Sequence, residues 1–185
     1  MPTYDKTKIG KWIAWGGDHF VYEYGAGQVI KFSGIDYFFG KKGREKSLRD
    51  YAVCKRYLGE YVLNTEFVTS VNGKHVAKLQ PKVVGHSLTK KDMARSDIER
   101  QLTDLVQKYD LLLKQEGEVL DLIGRGGIFR RTLSNIFVDA EDKLYLIDTT
   151  LLVAGDIPLL QSLIRIFLPA CVWRQSSTIK MFSAR

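Results

Sequence analysis

The sequence predicts an α+β protein: a strand-rich first half with one helix inserted in it, then a helical second half that carries a β-hairpin. Three observations lead there. Aromatic and β-branched residues alternate between glycine turns from Trp12 to Phe32. The stretch "SDIERQLTDLVQKYDLLLKQEG", residues 96–117, repeats its apolar residues with the period of a helix. And "LSNIFVDAEDKLYLIDTT", residues 133–150, reads as two short strands about an acidic turn.

The elements follow in order. Three strands are expected at residues 12–15, 20–24 and 28–32, separated by turns at Gly16-Gly17-Asp18 and Gly25-Ala26-Gly27. "REKSLRDYAVCKRYLGEY" reads as a helix with Leu48, Tyr51, Ala52 and Leu58 near one face and Gly59 as its stop. "EFVTSVNGKHVAKLQ" is expected to be a hairpin about a type I′ Asn72-Gly73 turn. "QPKVVGHSL" reads as an extended connector, which places the boundary of two lobes, 1–84 and 85–185, near Gln80 to His86. In residues 96–117, Ser96 and Glu99 have capping-box spacing, and Gly117 supplies the stop. Ile98, Leu102, Leu105, Val106, Tyr109, Leu112 and Leu113 form its apolar stripe. "VLDLIG" is expected as a short buried strand, "RGGIFRR" as a loop, and the last segment as a helix.

Composition narrows the class. The 185 residues are 45% hydrophobic and 26% charged, as in ordinary globular domains, and the net charge of +7 favours anionic partners. Cys54 and Cys171 have no pairing pattern and read as reduced thiols in or near a core, and His19, His75 and His86 lack zinc spacing. The N-terminus lacks the apolar core of a signal peptide. The most apolar run, "IPLLQSLIRIFLPACVW", is interrupted by Gln161, Arg165 and Pro169 and falls short of the roughly 20 apolar residues of a membrane span. A cytoplasmic protein without a membrane span is expected.

Three groups of residues carry chemistry. Lys31 is the single cation of the apolar strand "QVIKF", and Asp50 and Glu45 lie on the helix that follows. A strand lysine steadied by a helix carboxylate can reach nucleotide phosphates, while a solvent-facing lysine is the plainer alternative. Gly16 and Gly17 precede it by one strand and allow backbone N–H groups to approach an anion. Asn135 and Asp148 are expected at the same end of the 133–150 hairpin, where two oxygen donors suit magnesium, which also takes phosphate oxygens and water.

These elements occur in an order that resembles the protein-kinase-like superfamily. The closer branch is that of small atypical bacterial kinases and aminoglycoside-phosphotransferase-like proteins. "HFVYEYGAGQVIKF" is similar to the second and third strands with the nucleotide-binding Lys31. "QPKVVGHSL" resembles the hinge that pairs with adenine, placing Gln80, Lys82 and Val83 beside it. "SNIFVDAEDKLYLID" resembles the loop Asn and the metal-binding Asp, here Asn135 and Asp148. The resemblance covers roughly residues 10–150. It implies a protein-kinase-like α+β fold, ATP and Mg as cofactors, and transfer of the γ-phosphoryl group to an acceptor that the sequence leaves unknown.

Departures from the pattern define the alternatives. His19 stands where a second glycine of the phosphate loop is expected. In the pattern H-x-D-x-x-x-x-N the position of the base falls on Arg130, which cannot accept a proton. One reading moves the base to Asp121 of "DLIG", displaced by an insertion holding Gly126, Gly127, Arg130 and Arg131. Another makes Asp121 a structural acid paired with Arg125, Arg130 or Arg131. The glycine and arginine loop either holds a phosphate or is a solvated basic turn. Only 37 residues follow Asp148, so the helical lobe is expected to be minimal and truncated. A non-catalytic pseudokinase that binds a nucleotide or a protein partner is the second functional reading. A basic nucleic-acid-binding protein, from the cationic residues of 41–56, is the third.

Overall fold

The computed structural model describes residues 1–16, 19–73, 75–124, 132–152 and 158–183, and for 16, 35–38, 158–168 and 183 their backbone alone. The chain packs as two compact units, Met1–Arg49 with Leu63–Val83, and Asp50–Val62 with Val84–Arg185. Residues 50–62 group with the second because Val53, Cys54, Leu58, Tyr61 and Val62 bury themselves in its core.

The first unit is a five-stranded antiparallel sheet. Its strands are β1 (Ile9–Gly16), β2 (His19–Tyr24), β3 (Gln28–Ser33), β4 (Glu66–Thr69) and β5 (Val76–Pro81), in the order β1-β2-β3-β5-β4. Helix α1 (Gly34–Leu58) leaves β3 directly. It begins ahead of the helix expected from residue 44, across a break at Gly40, whose φ of 54° and ψ of −122° are not helical. One sheet face carries Ile30, Val68, Ala77 and Leu79, which pack with Tyr4 and Tyr24 into a small core. Because side chains alternate along a strand, the other face carries Val21, Lys31 and Lys78, which pair directly across the three neighbouring strands.

The β4–β5 connection differs from the expected type I′ turn. Gly73 has φ +67°, but no non-glycine residue in the connection has positive φ among those described, so Asn72 does not take the left-handed conformation that this turn needs. Instead the Gly73 N–H donates to the Ser70 carbonyl, and the Ser70 hydroxyl accepts from the His75 N–H. Ser70 supplies side-chain bonds that a two-residue turn lacks, so the loop widens by several residues.

The second unit has helix α2 (Ser96–Glu116), a three-stranded sheet of β6 (Gly85–Leu88), β7 (Leu133–Asp139) and β8 (Leu144–Leu146), and helix α3 (Pro158–Ser183). The α2 stripe is buried as its period predicts, through Ile98, Leu102, Leu105, Tyr109 and Leu112. Gly117 closes the helix in the left-handed conformation, with its N–H on the Leu113 carbonyl. Ser96 is already helical, however, so Arg95 takes the cap position and no side-chain capping bond forms. Helix-favouring charge from Asp97 and Glu99 in the first turn serves instead.

The extended connector ends in a true strand, β6, against β7. A Cβ on Gly85 would overlap the Val138 carbonyl, so the close approach of β6 to β7 requires glycine there. The segment expected as a strand around residue 120 makes one isolated bridge, Leu120 with Leu151, then bends. Cys54 is buried and donates to the Thr149 carbonyl, whereas Cys171 is exposed on α3 rather than in the core. Among the described residues no helix is long and apolar enough to cross a membrane.

Candidate functional site

The β7–β8 hairpin forms as its sequence predicts, with Ile136 opposite Leu146 and Val138 opposite Leu144. The pairing continues past β8: the Ile147 N–H donates to the Asn135 carbonyl at 3.0 Å. Asn135 and the next residue, Asp148, therefore lie at one end of the hairpin. Asp121 reaches the same place by a separate route. The Asn135 Nδ2 donates to the Asp121 carbonyl at 2.7 Å, the Ser134 N–H donates to the Ile123 carbonyl at 3.0 Å, and Leu120 bridges to Leu151 beyond Asp148.

Each of these side chains is held by its neighbours. The Asp121 Oδ1 accepts the N–H groups of Ile123 and Gly124, both at 3.0 Å, which leaves Oδ2 outside this pair of bonds. The Asp148 Oδ1 accepts the N–H and the hydroxyl of Thr150, at 3.0 and 2.8 Å. Gly124 has φ +63°, and a Cβ there would stand 2.7 Å from the Asn135 Cγ and overlap its Oδ1. The glycine opens the space that the Asn135 carboxamide fills.

Electrostatics couple the two acids. Burial raises the Asp121 carboxyl above its ordinary range, the two backbone N–H bonds oppose it, the negative charge of Asp148 raises it again, and Arg174 opposes. Two carboxylates near each other in a partly dry place favour either a shared proton or a cation between them. Asp50 adds a third acid to this unit: it is 3% exposed, and its Oδ2 accepts the Leu151 N–H at 3.1 Å. Glu45, the other candidate, is exposed and pairs with Lys41 at 3.8 Å.

Asn135 and Asp148 offer a carboxamide and a carboxylate oxygen, hard donors that fit magnesium, and the room left by Gly124 lets the carboxamide settle with its oxygen fixed. Among the described residues no group of three or more His, Cys, Asp or Glu is placed to hold a metal alone.

Sequence reasoning missed two supports of this region. Gln175 on α3 is buried; its Oε1 accepts the Leu122 N–H at 2.9 Å and its Nε2 donates to the Leu120 carbonyl at 3.0 Å. One carboxamide thereby clamps the backbone on both sides of Asp121. Tyr109 of α2 hydrogen-bonds to Gln175, and burial pushes its hydroxyl up to about 12. The sequence shows only a glutamine in the last expected helix, as many solvated helices also carry.

In the first unit, Lys31 is half-buried in β3, opposite Val21 and Lys78. Gln80 is buried near the end of β5 and donates to the Thr65 hydroxyl at 2.8 Å. Lys82 follows β5; its N–H donates to the Gly27 carbonyl at 2.9 Å and its ammonium pairs with Glu23 at 2.8 Å. Val83 is half-buried, and Gly16 ends β1 opposite His19. Gly17 and the arginines at 125, 130 and 131 lie outside the described residues.

The chain, an antiparallel sheet with a helix after its third strand and then a helical unit carrying a hairpin, is similar to known structures. The Legionella pneumophila Lpg2603 kinase, solved bound to IP6, superposes over 94% of this chain and 57% of its own, with a TM-score of 0.53 and 14% identity. The fold is protein-kinase-like. Two further similar structures are a mutant of the Mycobacterium tuberculosis PknI kinase domain and the apo form of PpkA-294. PknI is 14% identical, with coverages of 77% and 58% and a TM-score of 0.49. PpkA-294 is 17% identical, with coverages of 80% and 61% and a TM-score of 0.49. The chain spans about three-fifths of the length of these structures. No protein-family model matches the sequence, and no curated protein matches it either. Lys31 on β3, and Asn135 and Asp148 on the β7–β8 hairpin, are the residues that the sequence resemblance singles out within this protein-kinase-like fold.

Proposed function

We propose that this protein binds ATP with magnesium and transfers the γ-phosphoryl group to a hydroxyl-bearing acceptor. The observation that carries the proposal is the Asn135 Nδ2 bond to the Asp121 carbonyl. It ties the candidate base to a candidate metal ligand across the 14 residues of sequence that separate them. In this reading Asp121 takes the place of the acid missing at position 130.

In this reading Lys31 holds the nucleotide phosphates, Asp50 helps to orient it, and Gln80, Lys82 and Val83 flank the adenine. Asn135 and Asp148 hold the metal, which when bound neutralises phosphate charge. Asp121 takes the proton of the acceptor hydroxyl as its oxygen bonds to the γ-phosphorus, while the bond from that phosphorus to the bridging oxygen breaks and ADP leaves. The raised carboxyl of Asp121 supports the role, since a stronger base accepts that proton more readily. The backbone bonds to Oδ1 support it too, because they fix the carboxyl without engaging Oδ2.

The test has two parts. In a thermal-shift series, Mg-ATP is expected to raise the melting temperature of the parent chain but not of Lys31→Ala or Asp148→Asn, and equal shifts in all three would refute the site. In radiolabelled transfer or ATP hydrolysis, Asp121→Asn is expected to lose turnover while keeping the nucleotide shift. A parent chain that binds Mg-ATP without turnover would make the protein a pseudokinase.

A further inference from the structure

The face of the first unit's sheet turned away from Lys31 exposes a row of aromatic side chains. Phe20 and Tyr22 alternate with Val21, the residue opposite Lys31, so they leave the other face; Trp15 and Trp12 stand directly opposite them on β1. Trp12, Trp15 and Phe20 are 59%, 49% and 46% exposed. They belong to one contiguous patch. The Trp15 and Phe20 rings stack with centroids 6.4 Å apart, and Phe20 stands in register with Phe32. Tyr22 and Tyr4 meet the Phe32 ring edge-on, at 6.0 and 5.6 Å. Tyr4 and Phe32 also line a cavity of about 280 Å³, together with Ser33, His75 and Val76.

The same unit is basic. Met1–Arg49 and Leu63–Val83 carry twelve Lys and Arg against six Asp and Glu, nearly all of the chain's net charge of +7. Part of that charge lies beside the aromatic row, because the segment before β1 crosses this face. Tyr4 packs on it, the Asp5 N–H donates to the Tyr24 hydroxyl at 2.9 Å, and the Lys8 carbonyl accepts the Gly25 N–H at 2.9 Å. Lys6 and Lys8 are exposed on this segment. Asp5, the one acid of residues 1–16, is engaged with the Thr7 N–H and hydroxyl at 2.9 and 2.7 Å. A contiguous exposed apolar patch marks an interaction surface, and cations beside it favour an anionic partner. An acyl chain has no use for the polar Ser33 and His75 of the cavity. An unstacked base offers both a flat face to the rings and a hydrogen-bonding edge to the polar residues.

We propose that this face binds single-stranded nucleic acid. Trp12, Trp15 and Phe20 are the platforms on which successive bases stack, Lys6 and Lys8 meet the phosphates, and the cavity beside Tyr4 and Phe32 takes one base at the end of the row. The surface is distinct from the cationic residues 41–56. It is also independent of the nucleotide reading above, since Lys31 leaves the opposite face of the sheet.

The experiment is fluorescence anisotropy of the full chain with a labelled oligothymidylate of about twelve nucleotides, within the site sizes of such platforms. It is repeated with the same strand in a duplex and with Mg-ATP present. The single strand is expected to bind the parent at low salt, more tightly than the duplex, and to weaken as salt rises. Trp12→Ala and Phe20→Ala are each expected to weaken it roughly fivefold or more, the worth of one stacked base. Lys6→Ala combined with Lys8→Ala is expected to make the salt dependence shallower. Mg-ATP is expected to leave the affinity unchanged. No binding at low salt overturns the proposal, as do equal affinity for the duplex, displacement by Mg-ATP, or unchanged affinity in the aromatic variants. Binding to phosphatidylserine vesicles without binding to the oligonucleotide overturns it in favour of a membrane surface. A parent dimer that Trp12→Ala dissociates, with no oligonucleotide bound, overturns it in favour of a second copy. Should Phe20→Ala fail to fold, the more exposed Trp12→Ala decides alone.

Discussion

Replacing Gly124 with alanine tests whether the Asp121–Asn135 arrangement is a built feature of the second unit. The glycine has φ +63°, and the added Cβ would sit 2.7 Å from Asn135 Cγ. Left-handed strain alone costs about 1–2 kcal/mol. The overlap also drives the carboxamide away from the Asp121 carbonyl, breaking a 2.7 Å bond and leaving a part-buried acceptor, for about 1–3 kcal/mol more. Gly117→Ala isolates the strain: its φ is +67° and nothing lies within 4 Å of the added carbon. Both glycines belong to the same unit, so circular-dichroism urea melts of the two variants can be compared directly. Gly124→Ala is expected to lower the midpoint by clearly more than Gly117→Ala, with similar slopes. Equal shifts would refute the reasoning, because they would mean that Asn135 has no need of the space.

Two other outcomes are expected. Asp121 holds its proton more tightly folded than unfolded, so stability falls as pH rises from the ordinary aspartate range through its raised native value. Asp121→Asn keeps an Oδ1 acceptor for Ile123 and Gly124 and should be more stable than the parent at neutral pH, with the advantage vanishing in acid; melts across that range check it, and a variant less stable at neutral pH would contradict it. Leu105, fully buried on α2, should lose about 2–5 kcal/mol as alanine, read as a fall in urea midpoint.

Much of the local order was legible because it rests on period and punctuation. The alternation around Lys31, the α2 stripe and the Asn135–Asp148 hairpin each follow from side-chain spacing that only one element satisfies. Differences arise where hydrogen bonding or strand pairing overrides the local pattern. Ser70 and His75 reshaped the turn expected at Asn72-Gly73, Arg95 displaced Ser96 from the cap, and β7 turned residues 85–88 into a strand. Gln175 was invisible as a support of Asp121 because its partners are backbone groups more than 50 residues away.

The sequence by itself determined the element types, the hairpin that sets Asn135 beside Asp148, and the lysine at the third strand, since these depend on residues close together in the chain. Tertiary structure alone decided that Asp121 joins that hairpin, and that a buried lysine at 78 faces Lys31. Both are cross-strand or cross-loop meetings, fixed by register and by the burial of whole faces, and no local propensity encodes which distant strand a residue will meet.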